Sequence, residues 1–329
     1  MKPTARIKSH PADFIVSEII AIPFSGDGEH LWLHIEKTAI NTQWLKKTLA
    51  TISGCPQRDI AHSGLKDRHA ITRQWLSLPW KYADQLPDSG DGWRILERQR
   101  HQKKLRIATH RENAFHLTLR NIDSPRAPLD QALTQLRDHG FANAFGNQRF
   151  GHHNLAHARQ WVQRGKLPKN RDERGRVLSV LRAHLFNLEL AARGHSARDI
   201  ISGDRAMLSG SHSHFAVDTV DDTLRQRAAS GDIAPGGWLP GKGELPIHGD
   251  AGRIRAQILH EETDTLAYLQ THTDSDWRPM WLYARDLHWQ WQNEHTLTLD
   301  FILPAGAFAT TLLDTLFTIE DASRQQQET

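Results

Sequence analysis

One cysteine, Cys55, is all the thiol chemistry this 329-residue chain possesses. An intramolecular disulfide and any multi-cysteine metal site are therefore excluded. No uninterrupted apolar run of about 18 residues occurs, so no membrane-spanning helix is expected. The opening Met1-Lys2-Pro3-Thr4-Ala5-Arg6 has no apolar segment behind it. Export by a signal peptide is not expected, and the cytoplasm is the expected compartment. Histidines are plentiful, 21 in all, yet they lack metal-site context. His153 and His157 stand four apart beside His152 without the glutamate of an HExxH motif, and His212 and His214 read as solvated. No metal is expected. Gly236 to Gly243 has the spacing of a phosphate-binding loop. It carries Gly243 where a Ser/Thr belongs, lacks a preceding apolar strand and contains Pro240, so a surface turn is expected there.

What is present describes a globular protein: 38% apolar and 24% charged residues, with length enough for two domains. The net charge is +3 and the isoelectric point about 9.0, which favours a polyanionic partner. Cations concentrate between Arg98 and Arg111. If that segment is extended, Arg98, Arg100, Lys104 and Arg106 share one face and form a candidate phosphate track. A charged face that merely keeps a strand soluble is the alternative.

Alternation predicts strands over Phe14–Ile19, 31–35, 93–107, 114–119 and 288–303. Trp289 and Trp291 are expected to be half-buried in the last of these. A helix is predicted from the Asn41-Thr42 cap to Gly54, with Trp44, Leu45, Thr48, Leu49 and Ile52 on one side. Further helices are predicted from Pro128 to Gly140, over 177–193 and over 311–317. The mixture points to an α+β fold, a sheet with helices on one face. The charged, Gly- and Pro-containing stretch 164–176 reads as a domain boundary, and the end of the chain from Ser323 as a frayed tail.

Two segments are unusual. Gly64-Leu65-Lys66-Asp67-Arg68-His69-Ala70-Ile71-Thr72-Arg73-Gln74-Trp75 reads as strand, tight loop, strand, with Asp67 at the tip between two cations. Neighbouring positive charge keeps such a carboxylate ionised and fit to act as a nucleophile or base. A solvated hairpin tip is the plainer reading of these residues alone. Asn143-Ala144-Phe145-Gly146-Asn147-Gln148-Arg149-Phe150-Gly151 combines glycines, amides and aromatics. These suit close backbone approach, base-edge reading and base stacking, or else a connection pinned in a core by Phe145 and Phe150.

Both segments resemble motifs of the TruD family of tRNA pseudouridine synthases, the second matching its NxFGxQRFG signature. Lys8-Ser9-His10-Pro11-Ala12-Asp13-Phe14-Ile15-Val16-Ser17-Glu18 is similar to the family's K-x-x-P-x-D-F-x-V-x-E opening, and Leu303-Pro304-Ala305-Gly306-Ala307-Phe308-Ala309-Thr310 to its LPAGxFAT segment. These four motifs stand in family order across nearly the whole chain. Ala144 departs from the aromatic common at its position. The resemblance implies a discontinuous α+β pseudouridine-synthase catalytic domain, 1–168 with 283–329, interrupted by an inserted TruD-specific α/β domain over 169–282. It implies Asp67 as nucleophile, Lys8 as its charge partner, Phe145 as the aromatic stacking on the target base, and Phe14, Asn143 and Phe308 lining the uridine pocket. The implied reaction is isomerisation of a uridine in tRNA, uridine 13 of the D-arm, to pseudouridine.

That chemistry breaks and remakes one glycosidic linkage, so no organic cofactor is expected, and the working unit is expected to be a monomer. Whether Asp67 attacks C1′, attacks C6 or promotes elimination stays open at this stage. Two other readings compete: a non-catalytic RNA binder, and a glycoside-type hydrolase pairing Asp67 with a second acid such as Glu18.

Overall fold

Strict alternation of covered and half-covered side chains along Phe14–Ile19 places this strand inside a sheet with one face on a core. The computed structural model describes residues 2–151, 153–211 and 213–325. His152, His212 and the tail from 326 lie outside the described residues. Among the described residues a nine-stranded sheet runs in the order Arg285–Asn293, Thr296–Pro304, Glu112–Leu119, Phe14–Ile19, Ile71–Pro79, His30–Thr38, Trp93–His101, Ser89–Gly90, with Ala61–His62 pairing Ile71–Pro79 at the side. Phe14–Ile19 and Ile71–Pro79 run parallel. A separate parallel pair joins Thr4–Ile7 to Thr318–Asp321.

The chain divides into two compact units. The first comprises Met1–Arg137, Ala284–Ala309 and Leu316–Thr329, and the second Asp138–Tyr283 with Thr310–Thr315. The nine-stranded sheet belongs to the first, which is thus α+β and discontinuous in sequence. Leu31, Leu33 and Ile35 pack there against Leu45 and Leu49 of the helix Thr42–Ser53. The Asn41 side chain caps that helix by accepting the Trp44 amide at 2.7 Å, and Gly54 ends it at φ 70°, a left-handed angle that glycine adopts without strain. The covered stripe is Thr42, Leu45, Leu49 and Ser53. Trp44 and Ile52, expected on the buried side, remain 41% and 38% exposed.

In the second unit a 23-residue helix, Arg171–Arg193, packs Val177, Val180, Leu181 and Leu185 against Ala158, Tyr268 and Leu269. It begins inside the stretch read as a boundary. The Asn170 side chain accepts the amides of Asp172 and Glu173, and those two acids favour the helix N-terminus. A four-stranded sheet orders His214–Ala216, Arg205–Leu208, Ile233–Leu239 and Asp276–Pro279. The segment expected as a surface turn runs through this sheet: Gly236, Gly237 and Trp238 are buried in Ile233–Leu239. A Cβ on Gly237 would lie 2.4 Å from the Phe186 ring, so glycine serves close packing there and not phosphate binding.

Trp289 and Trp291 are half-buried, as expected, and both indole N–H groups donate to Asp130 Oδ1. Fraying does not begin at Ser323. That residue is buried, and its hydroxyl and amide donate to Asp321 Oδ1.

Candidate active site

Asp67 lies on the loop between Ala61–His62 and Ile71–Pro79. The short first strand pairs with Leu76 and Ser77, so the loop is wide, and long-range bonds hold it in place of a tight turn. The Lys8 ammonium pairs with Asp67 Oδ2, the His69 amide donates to Oδ1 at 3.1 Å, and Asp321 lies 3.6 Å from the same ammonium. Lys8 follows the strand Thr4–Ile7 in the left-handed region at φ 56°. A non-glycine residue there carries strain that the surroundings must hold. Burial alone would raise the Asp67 carboxyl. The Lys8 charge and hydrogen bond, joined by the His69 amide, outweigh it and hold the carboxyl below the usual range.

No sequence pattern assigned a bracing role to the residues that hold this pair. Asp13 is buried, accepts the His10 amide and takes two bonds from the Arg120 guanidinium, fixing the turn from Lys8 to Phe14. Lys37 is fully covered and donates to the main-chain carbonyls of Ile40 and Asp67 itself, at 2.5 and 2.9 Å. Desolvation lowers Lys37 to about 8. Glu18 pairs with Lys66 at 2.6 Å and accepts the Trp75 amide with its other oxygen. Its side chain is wholly enclosed, so it cannot act as the second acid of a hydrolase. Ser63 and His110, both buried, share a 2.5 Å hydrogen bond at the base of the loop.

Desolvation and the Lys66 charge lower His110 to about 4, so its neutral form is built into the fold. A base whose pKa falls on folding contributes stability fully above its unfolded value near 6.5 and loses it as pH falls towards the folded value. Melting temperature is expected to drop on acidification between about 6.5 and 4. In His110→Asn this part of the pH dependence should flatten; an unchanged slope would place the titration elsewhere.

The sequence-derived residues fall into two groups. Lys8, Asp67 and Phe14 come together in the first unit, with the Lys8 ammonium 4.7 Å from the Phe14 ring centre. Phe308, also of that unit, is half-buried in the turn between Thr296–Pro304 and Ala309–Leu316. Asn143 and Phe145 come together in the second unit. Asn143 donates to the Pro279 carbonyl and accepts from the Arg278 guanidinium at 2.6 Å. Asn187 clasps Phe145 by accepting its N–H and donating to its carbonyl. Arg278 stands 4.2 Å from the Phe145 ring centre, and Phe186 meets the ring edge-on at 5.3 Å. Only 9% of Phe145 is exposed. Burial and the nearby Arg149 charge lower Arg278 to about 10, which leaves it cationic at neutral pH. Arg278 is another residue that no sequence pattern singled out.

The basic stripe does not share one strand face. The strand ends at His101, which pairs with His30 at the start of its neighbour; Lys104 and Arg106 lie in the loop beyond. Arg98 donates to the Leu86 carbonyl and Asp88. Arg100 donates to the Gly28 carbonyl and stacks 4.4 Å from the Trp80 ring centre.

An ionised carboxylate, gripped by a buried ammonium on a braced loop of an α+β sheet, defines an enzyme-type site suited to nucleophilic or basic catalysis. The family profile of tRNA pseudouridine synthase D (TruD) matches residues 3–161 and 177–316. The tRNA pseudouridine synthase D of Pseudomonas entomophila is 37% identical, covering 98% of this chain and 93% of its own length. That of Pseudomonas putida KT2440 is 39% identical over 94% and 90%. The TruD crystal structure from Methanosarcina mazei shares the fold, with a TM-score of 0.72 at 18% identity, covering 96% of this chain and 94% of that one. The chain belongs to the TruD family.

Proposed function

We propose that this protein isomerises uridine 13 in the D-arm of tRNA to pseudouridine, with Asp67 as nucleophile and Lys8 as the cation that keeps it ionised. The observation carrying this reading is the Lys8–Asp67 pair, a part-exposed anion whose partner is buried and conformationally strained. In the net reaction the N1–C1′ bond breaks and a C5–C1′ bond forms. The C5 proton leaves to solvent and N1 gains one. Nothing is oxidised or transferred away, so this chemistry calls for no organic cofactor.

A stacked uridine cannot reach such a site, so the base must be flipped out at a cost of a few kcal/mol. In this proposal Phe145 stacks on the flipped base, Phe14, Asn143 and Phe308 line its pocket, and Arg98, Arg100, Lys104 and Arg106 meet RNA phosphates. Segment 169–282 is the family-specific insertion, and the protein acts as a cytoplasmic monomer. Base–aromatic stacking contributes about 1–3 kcal/mol. Phe145→Leu, which keeps an apolar group under Arg278, is therefore expected to slow single-turnover isomerisation by roughly 5- to 150-fold. Unchanged single-turnover kinetics would remove the stacking role.

The direct test is tritium release to water from tRNA transcribed with [5-³H]uridine, followed by mapping of the modified position. Release with pseudouridine at position 13 supports the proposal. Binding without release across a tRNA pool would favour a non-catalytic RNA binder.

A further inference from the structure

Among the described residues the two most exposed large apolar side chains are Ile107, at 77%, and Leu65, at 66%. They occupy adjacent loops tied together at one point. Ala108 N–H donates to the Ser63 carbonyl at 2.8 Å, His110 N–H donates to the Ser63 hydroxyl at 2.8 Å, and that hydroxyl bonds the His110 ring. Hydrogen bonds hold the loop around each of them. Arg106 and Thr109 close a turn through the Thr109 hydroxyl and amide on the Arg106 carbonyl, with Ile107 and Ala108 at its tip and Ala108 at φ 63°. Leu65 is held by its neighbour Lys66, whose amide donates to the Thr42 hydroxyl and whose ammonium is locked on Glu18. Leu105, two residues before Ile107, is buried with Trp32 and Trp75, so the loop had a core available and left Ile107 outside it.

Two large apolar side chains this exposed on adjacent loops are free to be covered by a partner. The charge of the loops says which partner. Arg68, Lys103, Lys104 and Arg106 are exposed beside them, and the acid in these two loops is Asp67, already paired with Lys8. Cations flanking an apolar tip suit a polyanion with apolar faces between its charges, which describes stacked bases on a phosphate backbone.

We propose that Leu65 and Ile107 form a two-residue wedge that enters the base stack of the bound RNA next to the target uridine and occupies the space the flipped base vacates. The proposal rests on the pseudouridine-synthase reading for its target. Leu65 stands two residues from Asp67, so a base displaced by the wedge leaves the stack beside the carboxylate. The wedge lowers the cost of flipping and takes no part in bond making.

The test uses the full chain and a tRNA transcript carrying [5-³H]uridine, with 2-aminopurine at the position 3′ to the target. Binding of wild type should raise the fluorescence as the wedge unstacks the probe. In the double variant Leu65→Ala, Ile107→Ala the rise should vanish and single-turnover tritium release should slow by about tenfold or more. Melting temperature should hold, since both side chains are exposed. An abasic site in place of the 2-aminopurine should restore most of the variant's rate, and the conservative pair Leu65→Met, Ile107→Leu should behave as wild type. A full fluorescence rise in the double alanine variant would overturn the wedge. So would a slowed rate that the abasic substrate does not rescue. If wild type itself releases no tritium, the functional reading fails, and the fluorescence arm still decides whether these side chains unstack bound RNA.

Discussion

Asp67→Asn is expected to abolish tritium release from [5-³H]uridine tRNA, a loss on the order of 10⁴-fold or more, while RNA affinity stays within about threefold. Asparagine preserves the side-chain volume and can still accept the His69 amide that now meets Oδ1. What it removes is the negative charge on which nucleophilic or basic action depends. The substitution also strips Lys8 of its nearest anion, leaving Asp321 at 3.6 Å as the remaining acid beside the ammonium. A modest fall in melting temperature is therefore expected with the catalytic loss. Circular dichroism at the assay temperature separates the two. Turnover persisting in the folded, purified variant would sink the nucleophile assignment. The depressed Asp67 carboxyl adds a pH signature: because the anion survives below the ordinary carboxylate range, the acidic limb of the single-turnover rate set by Asp67 should lie below that range.

The largest effect on stability is expected from Arg255→Met in the second unit. Arg255 and Glu189 form a 2.6 Å ion pair that is almost wholly enclosed, and Arg193 and Asp204 form a second buried pair 3.5 Å from the Arg255 guanidinium. Removing one partner of such a pair strands a buried charge and costs about 3–5 kcal/mol. Burial already pushes the Glu189 carboxyl up against the pull of Arg255 and the Trp238 amide. Without Arg255 that balance tips towards the protonated acid. The added Glu189→Gln change should recover part of the loss, because it removes the stranded charge and keeps an acceptor for the Trp238 N–H. Urea denaturation measures both variants. A cost under about 1 kcal/mol for Arg255→Met would show that the network contributes little beyond packing.

Local signals were readable in the chain itself. The Asn41 cap, the Gly54 and Gly140 stops and the Phe14–Ile19 alternation depend on neighbours a few residues away, and the elements Thr42–Ser53, Arg126–His139 and Phe14–Ile19 form accordingly. Periodicity gave a weaker account of which face is covered: the stripe of the first helix passes through Thr42 and Ser53 and leaves Trp44 and Ile52 in solvent. The Gly236–Gly237 pair suggests a turn from sequence alone because glycine marks a turn or a close approach equally well. The neighbour that decides, Phe186, lies about fifty residues away. Arg98, Arg100, Lys104 and Arg106 do not share one strand face for a similar reason. A strand continues only while a partner runs beside it, and the ladder stops where His101 meets His30.

By itself, the sequence determined the α+β class, the helix limits set by caps and glycines, and four ordered motifs that single out the family and nominate Asp67 and Lys8. How that carboxylate is held depends on contacts formed in the folded chain. The Asp13–Arg120, Glu18–Lys66 and Lys37–Asp67 contacts join residues 107, 48 and 30 positions apart. Residues that distant meet only after the sheet has assembled. Burial then makes each pairing obligatory, since a charge taken out of water must find a partner or give up its proton.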